Sequence, residues 1–99
     1  MIIAEVAIFP TSEGASVSRY VKRALQVLND SGLDYKSGAM ATCIQAKTLQ
    51  EIFNVVTHMH EAIKEMGAER LHIGLRIDDR LDKDATMQSK IEAIGKDQA

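Results

Sequence analysis

The strongest constraint on the fold is a doubled pattern: an apolar strand, an amphipathic helix and a second strand follow one another, and then the series repeats. Residues 2–9 open the first unit as an apolar run with the β-branched Ile2, Ile3, Val6 and Ile8. The run stops at Pro10, the only proline, before the turn-rich Thr11-Ser12-Glu13-Gly14. Its length and flanks predict a buried strand rather than a helix. Apolar character this continuous suits a central strand covered on both faces. Val17, Tyr20, Val21, Ala24, Leu25 and Leu28 then recur at intervals of three and four, which is one face of a helix. Ser16 or Ser18 is placed to cap it, and Gly32 to end it in a left-handed turn.

Residues 33–37 and 40–46 predict two short strands joined through Gly38 as a hairpin. Thr48 and Glu51 have capping-box spacing ahead of Leu49, Ile52, Phe53, Val56, His60 and Ile63, a second helical stripe that ends at Gly67. From Glu69 to Asp78, Leu71, Ile73, Leu75 and Ile77 alternate with His72, Gly74, Arg76 and Asp78. That alternation predicts a strand whose two faces meet different surroundings. Met87, Ile91 and Ile94 predict a short terminal helix, begun by Asp84 or Thr86 and too short to form without packing on something. The order is βαββαβ plus a helix. It predicts an α+β, ferredoxin-like sandwich: a four-stranded antiparallel sheet with two helices on one face and a short C-terminal helix. Ninety-nine residues suffice for one core, expected over residues 1–95, with 96–99 as a frayed tail. Aromatic residues are only 4% and Trp is absent, so that core must be aliphatic.

Several functional classes are excluded on these grounds. A net charge of −2 offers no electrostatic footprint for nucleic acid or anionic membrane. No apolar run approaches the roughly 20 residues of a membrane helix. The start, Met1-Ile2-Ile3-Ala4-Glu5, has no basic region of the kind that opens a signal peptide. Cys43 is the single cysteine and can form no internal disulfide, so the cytoplasm is the expected compartment. With both helices on one face, the chain leaves the other sheet face uncovered. On the first strand both alternating sets are apolar except for Glu5. Such a face should not stay in water, which predicts a homo-oligomer, a dimer or a dimer of dimers.

Candidate chemistry is sparse. His58 and His60 point to different helix faces and lack the spacing with which two imidazoles grip zinc, so one half-buried and two surface histidines are expected. Cys43, in mid-strand, reads as a core residue. The run Asp78-Asp79-Arg80-Leu81-Asp82-Lys83-Asp84 lacks the glycine and terminal glutamate of a calcium loop, and Arg80 and Lys83 can neutralise it. Glu5 and Arg76 fall on strands that this topology makes neighbours, as an interface ion pair or as a carboxylate and guanidinium set against a polar ligand. The hydroxyl-rich loop 11–18 leads into a helix N-terminus. Thr42 is a lone hydroxyl in an apolar strand. Neither a catalytic nucleophile, nor an acid/base pair, nor a metal or cofactor motif is visible.

Ile3-Ala4-Glu5-Val6, the stretch Gly14-Ala15-Ser16-Val17-Ser18-Arg19-Tyr20-Val21, Ser31-Gly32-Leu33, and Gly67-Ala68-Glu69-Arg70 followed by Arg76-Ile77-Asp78-Asp79-Arg80 together resemble one family. It is the small thiamine-binding protein family, related to the tandem-domain YkoF proteins, and the resemblance runs to about residue 94. It implies a ferredoxin-like fold, homotetramers built by sheet packing, and non-catalytic binding of thiamine or its hydroxymethylpyrimidine part. A site for such a ligand wants polar partners and apolar walls, for which Glu5, Ser16, Ser18, Thr42, Arg76 and Asp78 are the candidate partners and Met40 and Phe9 the candidate walls. Members often carry Ile-Glu-Gly where this chain reads Ile44-Gln45-Ala46, and threonines where it has Ile73-Gly74. The Gln45 departure removes a carboxylate that would attract a cation. The alternative reading is a small cofactor-free enzyme, or a regulatory or scaffold subunit of the same fold.

Overall fold

The computed structural model describes residues 1–95; the expected tail, 96–99, lies outside the described residues. Element order is β1 (Ile2–Pro10), α1 (Ser18–Asp30), β2 (Asp34–Ser37), β3 (Thr42–Ala46), α2 (Leu49–Glu65), β4 (Leu71–Asp79) and α3 (Met87–Ala93). The strands form one antiparallel sheet in the order β2-β3-β1-β4, the predicted ferredoxin-like arrangement. Among the described residues no helix is long and apolar enough to cross a membrane.

Strand parity decides what is buried. Ile2, Ala4, Val6 and Ile8 of β1 face the helices and are buried, as are Thr42, Ile44 and Ala46 of β3. Both helices pack on β1 and on each other, and α2 also packs on β3. α1 contributes Tyr20, Ala24 and Leu28, spaced by four along one stripe. α2 buries Ile52, Val55, Val56, Met59, Ala62 and Ile63, a stripe rotated from the predicted one because the helix meets the sheet and α1 together. Leu49 and Phe53, predicted inside, lie on its exposed flank.

Helix ends follow local chemistry with one exception. The Thr48 hydroxyl accepts a bond from the Glu51 N–H at 3.2 Å, and Thr86 rather than Asp84 starts α3, in a reciprocal box with Ser89. α1 starts differently: its cap position is Val17, with no side-chain bond, and Ser16 and Ser18 are exposed. A half-buried Val17 takes the position where a hydroxyl was expected. Gly32 follows α1 with φ +79°, a backbone that side-chain-bearing residues avoid.

Two sequence expectations fail on the sheet. The open face is not bare, because α3 crosses one end of it. The Met87 N–H donates to Gln45 Oε1 at 2.7 Å, and Lys90 Nζ lies 2.6 Å from Asp78. Nor is that face uniformly apolar. Register pairing places Cys43, Gln45, Asp34, Lys36, His72, Arg76 and Asp78 on it beside Ile3, Ala7 and Phe9. Cys43 is therefore not a core residue: Thr42 and Ile44 take the inner positions of β3, so Cys43 must face outward, half-exposed. The alternation of β4 is as predicted, but β4 is an edge strand that the helices cover only partly. Its Ile73 and Ile77 remain exposed on the helix side.

Candidate functional site

β3 is shorter than its sequence suggests, and the difference makes a cavity. The Gly38 N–H donates to the Ala41 C=O at 2.9 Å, closing a tight link between β2 and β3. A Cβ on Gly38 would sit 2.9 Å from that same carbonyl oxygen, closer than side chains approach, so the link requires glycine. Residues 39–41, of which Met40 and Ala41 were predicted in the strand, leave the ladder here, and β3 begins only at Thr42. β1 consequently pairs with β4 from Ile2 to Pro10 but with β3 only from Ile2 to Val6.

The gap beside the rest of β1 is a cavity of about 330 Å³. Residues 6–9 of β1 form one wall and residues 38–42 another, while Val17, Val21 and Leu25 of α1, with Met59 of α2, close it. Hydrogen bonds at either end hold these walls. The Tyr20 hydroxyl donates to Glu13 Oε1 at 3.0 Å and accepts from Arg19 Nη2 at 2.8 Å, tying the β1–α1 loop to α1. Ser12 Oγ accepts from the N–H groups of Glu69 and Arg70 at 3.0 and 3.1 Å, fixing the far end of β1 to β4. No ionisable side chain lines the cavity. Its one side-chain hydroxyl is that of Thr42, a residue 8% exposed. Among the described residues this hydroxyl has no hydrogen-bond partner, and it is not sealed off. Met40, at the other extreme, is 89% exposed although it lines the same space.

A second cleft, about 400 Å³, opens on the other side of the sheet under α3, among Ile3, Glu5, Cys43, Arg76, Asp78 and Lys90. Arg76 Nε and Nη2 both donate to Glu5 Oε1, at 3.1 and 2.7 Å, across the register pair formed by these residues. With Asp78 taken by Lys90, both carboxylates of this cleft already have cationic partners.

The residues named from sequence thus divide into groups. Met40 and Thr42, with Phe9, line the cavity. Ser16 and Ser18 flank Val17 without lining it. Glu5, Arg76 and Asp78 line the opposite cleft and do not meet the others. Gln45, the departure from the family pattern, holds α3. The charged loop neutralises itself in part: Arg80 bonds Asp82 at 2.9 and 2.5 Å and holds that carboxyl below the usual aspartate range. Asp84 pairs with the N-terminal ammonium. His60 is half-buried, and His58 and His72 are exposed, His72 stacking on Phe9 with ring centroids 5.9 Å apart. Among the described residues no group of three or more His, Cys, Asp or Glu could hold a metal.

Sequence reasoning missed Val21 and Leu25 as walls because their helical spacing reads simply as core, and Met59 because the predicted stripe on the second helix passed it by. It missed the main chain of residues 38–41 because nothing marked where the ladder stops except Gly38.

The sequence model of the family described as "Thiamine-binding protein" matches residues 4–95. The chain belongs to that family. The UPF0045 protein MJ1052 of Methanocaldococcus jannaschii is 37% identical over 94 residues, covering 95% of this chain and 92% of the relative. Its crystal structure superposes with a TM-score of 0.87, over 94% of each chain. YqgV of Bacillus subtilis, also a UPF0045 protein, is 38% identical, over 97% of this chain and 96% of its own. A Thermotoga maritima structure, of a proposed thiamine biosynthesis/salvage protein, shares the fold with a TM-score of 0.81 at 19% identity, over 94% of this chain and 97% of its own.

Proposed function

We propose that this chain binds thiamine, vitamin B1, or its hydroxymethylpyrimidine moiety, without catalysis, in the cavity between β1, α1 and the β2–β3 link. The observation that carries the reading is the cavity itself: apolar walls, no charge, and one hydroxyl without a partner. A volume near 330 Å³ is at the lower end of small-molecule pockets and ample for a substituted pyrimidine ring. Membership of a thiamine-binding family supports the ligand class. Burying a cation without a partner is costly, so the uncharged pyrimidine goes inside and the thiazolium keeps its water at the mouth. With no aromatic sandwich available, Met40, unbranched and adaptable, supplies the side-chain contact that closes over the ring, and the edge of β1 at residues 6–9 forms the opposite wall.

Glu5, Arg76 and Asp78 serve assembly instead. We place the chain in the cytoplasm as a homotetramer, a dimer of dimers, whose contact is the open sheet face with Ile3, Ala7 and Phe9 at its apolar centre. Calorimetric titration with hydroxymethylpyrimidine, thiamine and thiamine phosphates tests the ligand. One present at 100 times its Kd should add about 2.7 kcal/mol to the folded state. Absence of heat and of a melting shift with all of them would refute the reading. Light-scattering mass at micromolar concentration tests assembly, and a monomer there removes the tetramer.

A further inference from the structure

The cavity wall formed by β1 contains four successive residues, 6–9. Successive side chains of a strand point to opposite faces, so an unbroken run lines a space only where the strand turns its edge to it. An edge presents main-chain N–H and C=O groups.

Ladder parity identifies which ones. In an antiparallel pair, residues that exchange both main-chain bonds alternate with residues that exchange none. The Thr11 N–H donates to the Arg70 C=O at 2.8 Å, one step beyond the Pro10–Leu71 rung. On β1 the odd residues therefore bond to β4, and the even ones turn their polar groups toward β3. Ile2, Ala4 and Val6 meet β3 residues there, opposite Ala46, Ile44 and Thr42. Ile8 is the next even residue, and β3 has no residue opposite it. No turn or loop bond reaches its main chain among the described residues either. Ile8 is 5% exposed, and buried main-chain groups of this kind are nearly always paired.

We infer that the N–H and C=O of Ile8, together with the Thr42 hydroxyl, are the groups that read the ligand. They select a planar heterocycle bearing an amino group next to a ring-nitrogen acceptor. This deepens the pyrimidine-binding reading and rests on it. The ring nitrogen accepts from the Ile8 N–H while the neighbouring amino group donates to the Ile8 C=O, completing the rung that β3 leaves empty. An oxo analogue offers the same two roles in the reverse order. It fits only when turned over, which exchanges the sides on which its substituents lie. A desamino analogue leaves the Ile8 C=O unpaired and should bind on the order of 10- to 100-fold more weakly, as expected for an abandoned buried acceptor.

The test uses the full chain, labelled with nitrogen-15, and hydroxymethylpyrimidine as the probe. In the free protein the Ile8 amide should exchange with solvent faster than those of Ala7 and Phe9, which bond to β4. The probe should slow it at least tenfold, move its proton resonance downfield, and leave those neighbours unchanged. The desamino and oxo analogues should lose affinity, and Thr42→Val should weaken binding where Thr42→Ser retains it. An Ile8 amide already as protected as its neighbours overturns the inference. So does binding of the probe, seen as heat, with no change at Ile8 or with equal affinity for the desamino analogue; the pyrimidine reading survives both results. Absence of heat with the probe and thiamine alike overturns that reading and this inference together.

Discussion

Replacing Thr42 by Val separates stability from binding, because the two should move in opposite directions. The residue is 8% exposed and its hydroxyl meets no partner among the described residues. A buried hydroxyl without a bond costs about 1–3 kcal/mol in protein mutational data. This one opens onto the cavity rather than being sealed, so the lower end applies. Val keeps the β-branched shape that a strand favours and exchanges the hydroxyl for a methyl group. The free variant should gain about 1 kcal/mol, which raises Tm by about 4–8 °C in a domain of this size. Affinity for the pyrimidine should fall about five- to tenfold, the equivalent of one neutral hydrogen bond of roughly 1 kcal/mol. Calorimetric melting and isothermal titration on one preparation measure both quantities. A Thr42→Val protein that melts several degrees lower while binding as before would refute the reasoning: the hydroxyl would then have a partner inside the fold.

The other perturbations probe assembly, core and backbone. Arg76→Ala breaks an ion pair whose side chains are 82% and 40% exposed, so an isolated subunit should lose under about 1 kcal/mol. If the open face is the subunit contact, the same change leaves Glu5 buried and unpaired. Light scattering should then show a shift toward smaller species, and an unchanged mass would exclude the pair from the contact. Leu28→Ala removes a side chain that is 0% exposed and should cost about 2–5 kcal/mol by denaturant titration. Gly32→Ala places a Cβ at φ +79° and should cost about 1–2 kcal/mol, with the loss appearing in Tm. Gln45→Ala removes the acceptor for the Met87 N–H; α3 buries none of its residues, so proteolysis should cut between β4 and α3 faster while global Tm changes by a few degrees at most.

The fold was legible because its signals are redundant. Hydrophobic period, cap residues and punctuation agree for β1, α1, α2 and β4, and few topologies accommodate two successive strand–helix–strand units. Errors arose where one signal acted alone. Ser16 and Ser18 suggested a cap, but Val17 occupies the cap position and no side chain caps α1. The predicted stripe on α2 included Leu49 and Phe53 because period fixes the width of a face and not its rotation, which tertiary packing decides. Cys43 was misplaced because a mid-strand position does not say which face a side chain takes; Thr42, Ile44 and Ala46 hold the inner positions of β3. The candidate site suffered most from the same blindness. Its side-chain components, Met40 and Thr42, stand out as residue types, whereas an unpaired main-chain rung at Ile8 has no residue type at all.

That rung explains why the cavity lies where it does. A sheet whose strands matched in length would pair Ile8 and seal the space with a longer β3. The Gly38–Ala41 link ends β3 early, while α1 stays packed in the core through the buried Tyr20, Ala24 and Leu28. The unfilled volume and the unpaired main-chain groups thus have one cause, and one flat, polar-edged ligand would relieve both. On the opposite side of the same strand, Glu5 is bonded to Arg76, and the cleft under α3 has no open carboxylate to offer a ligand. Phe9 borders the cavity along the edge of its strand, while its ring stacks on His72 on the open face. The proposed binding on the helix side and the proposed subunit contact on the open face would therefore meet on the segment of β1 that β3 leaves unsupported.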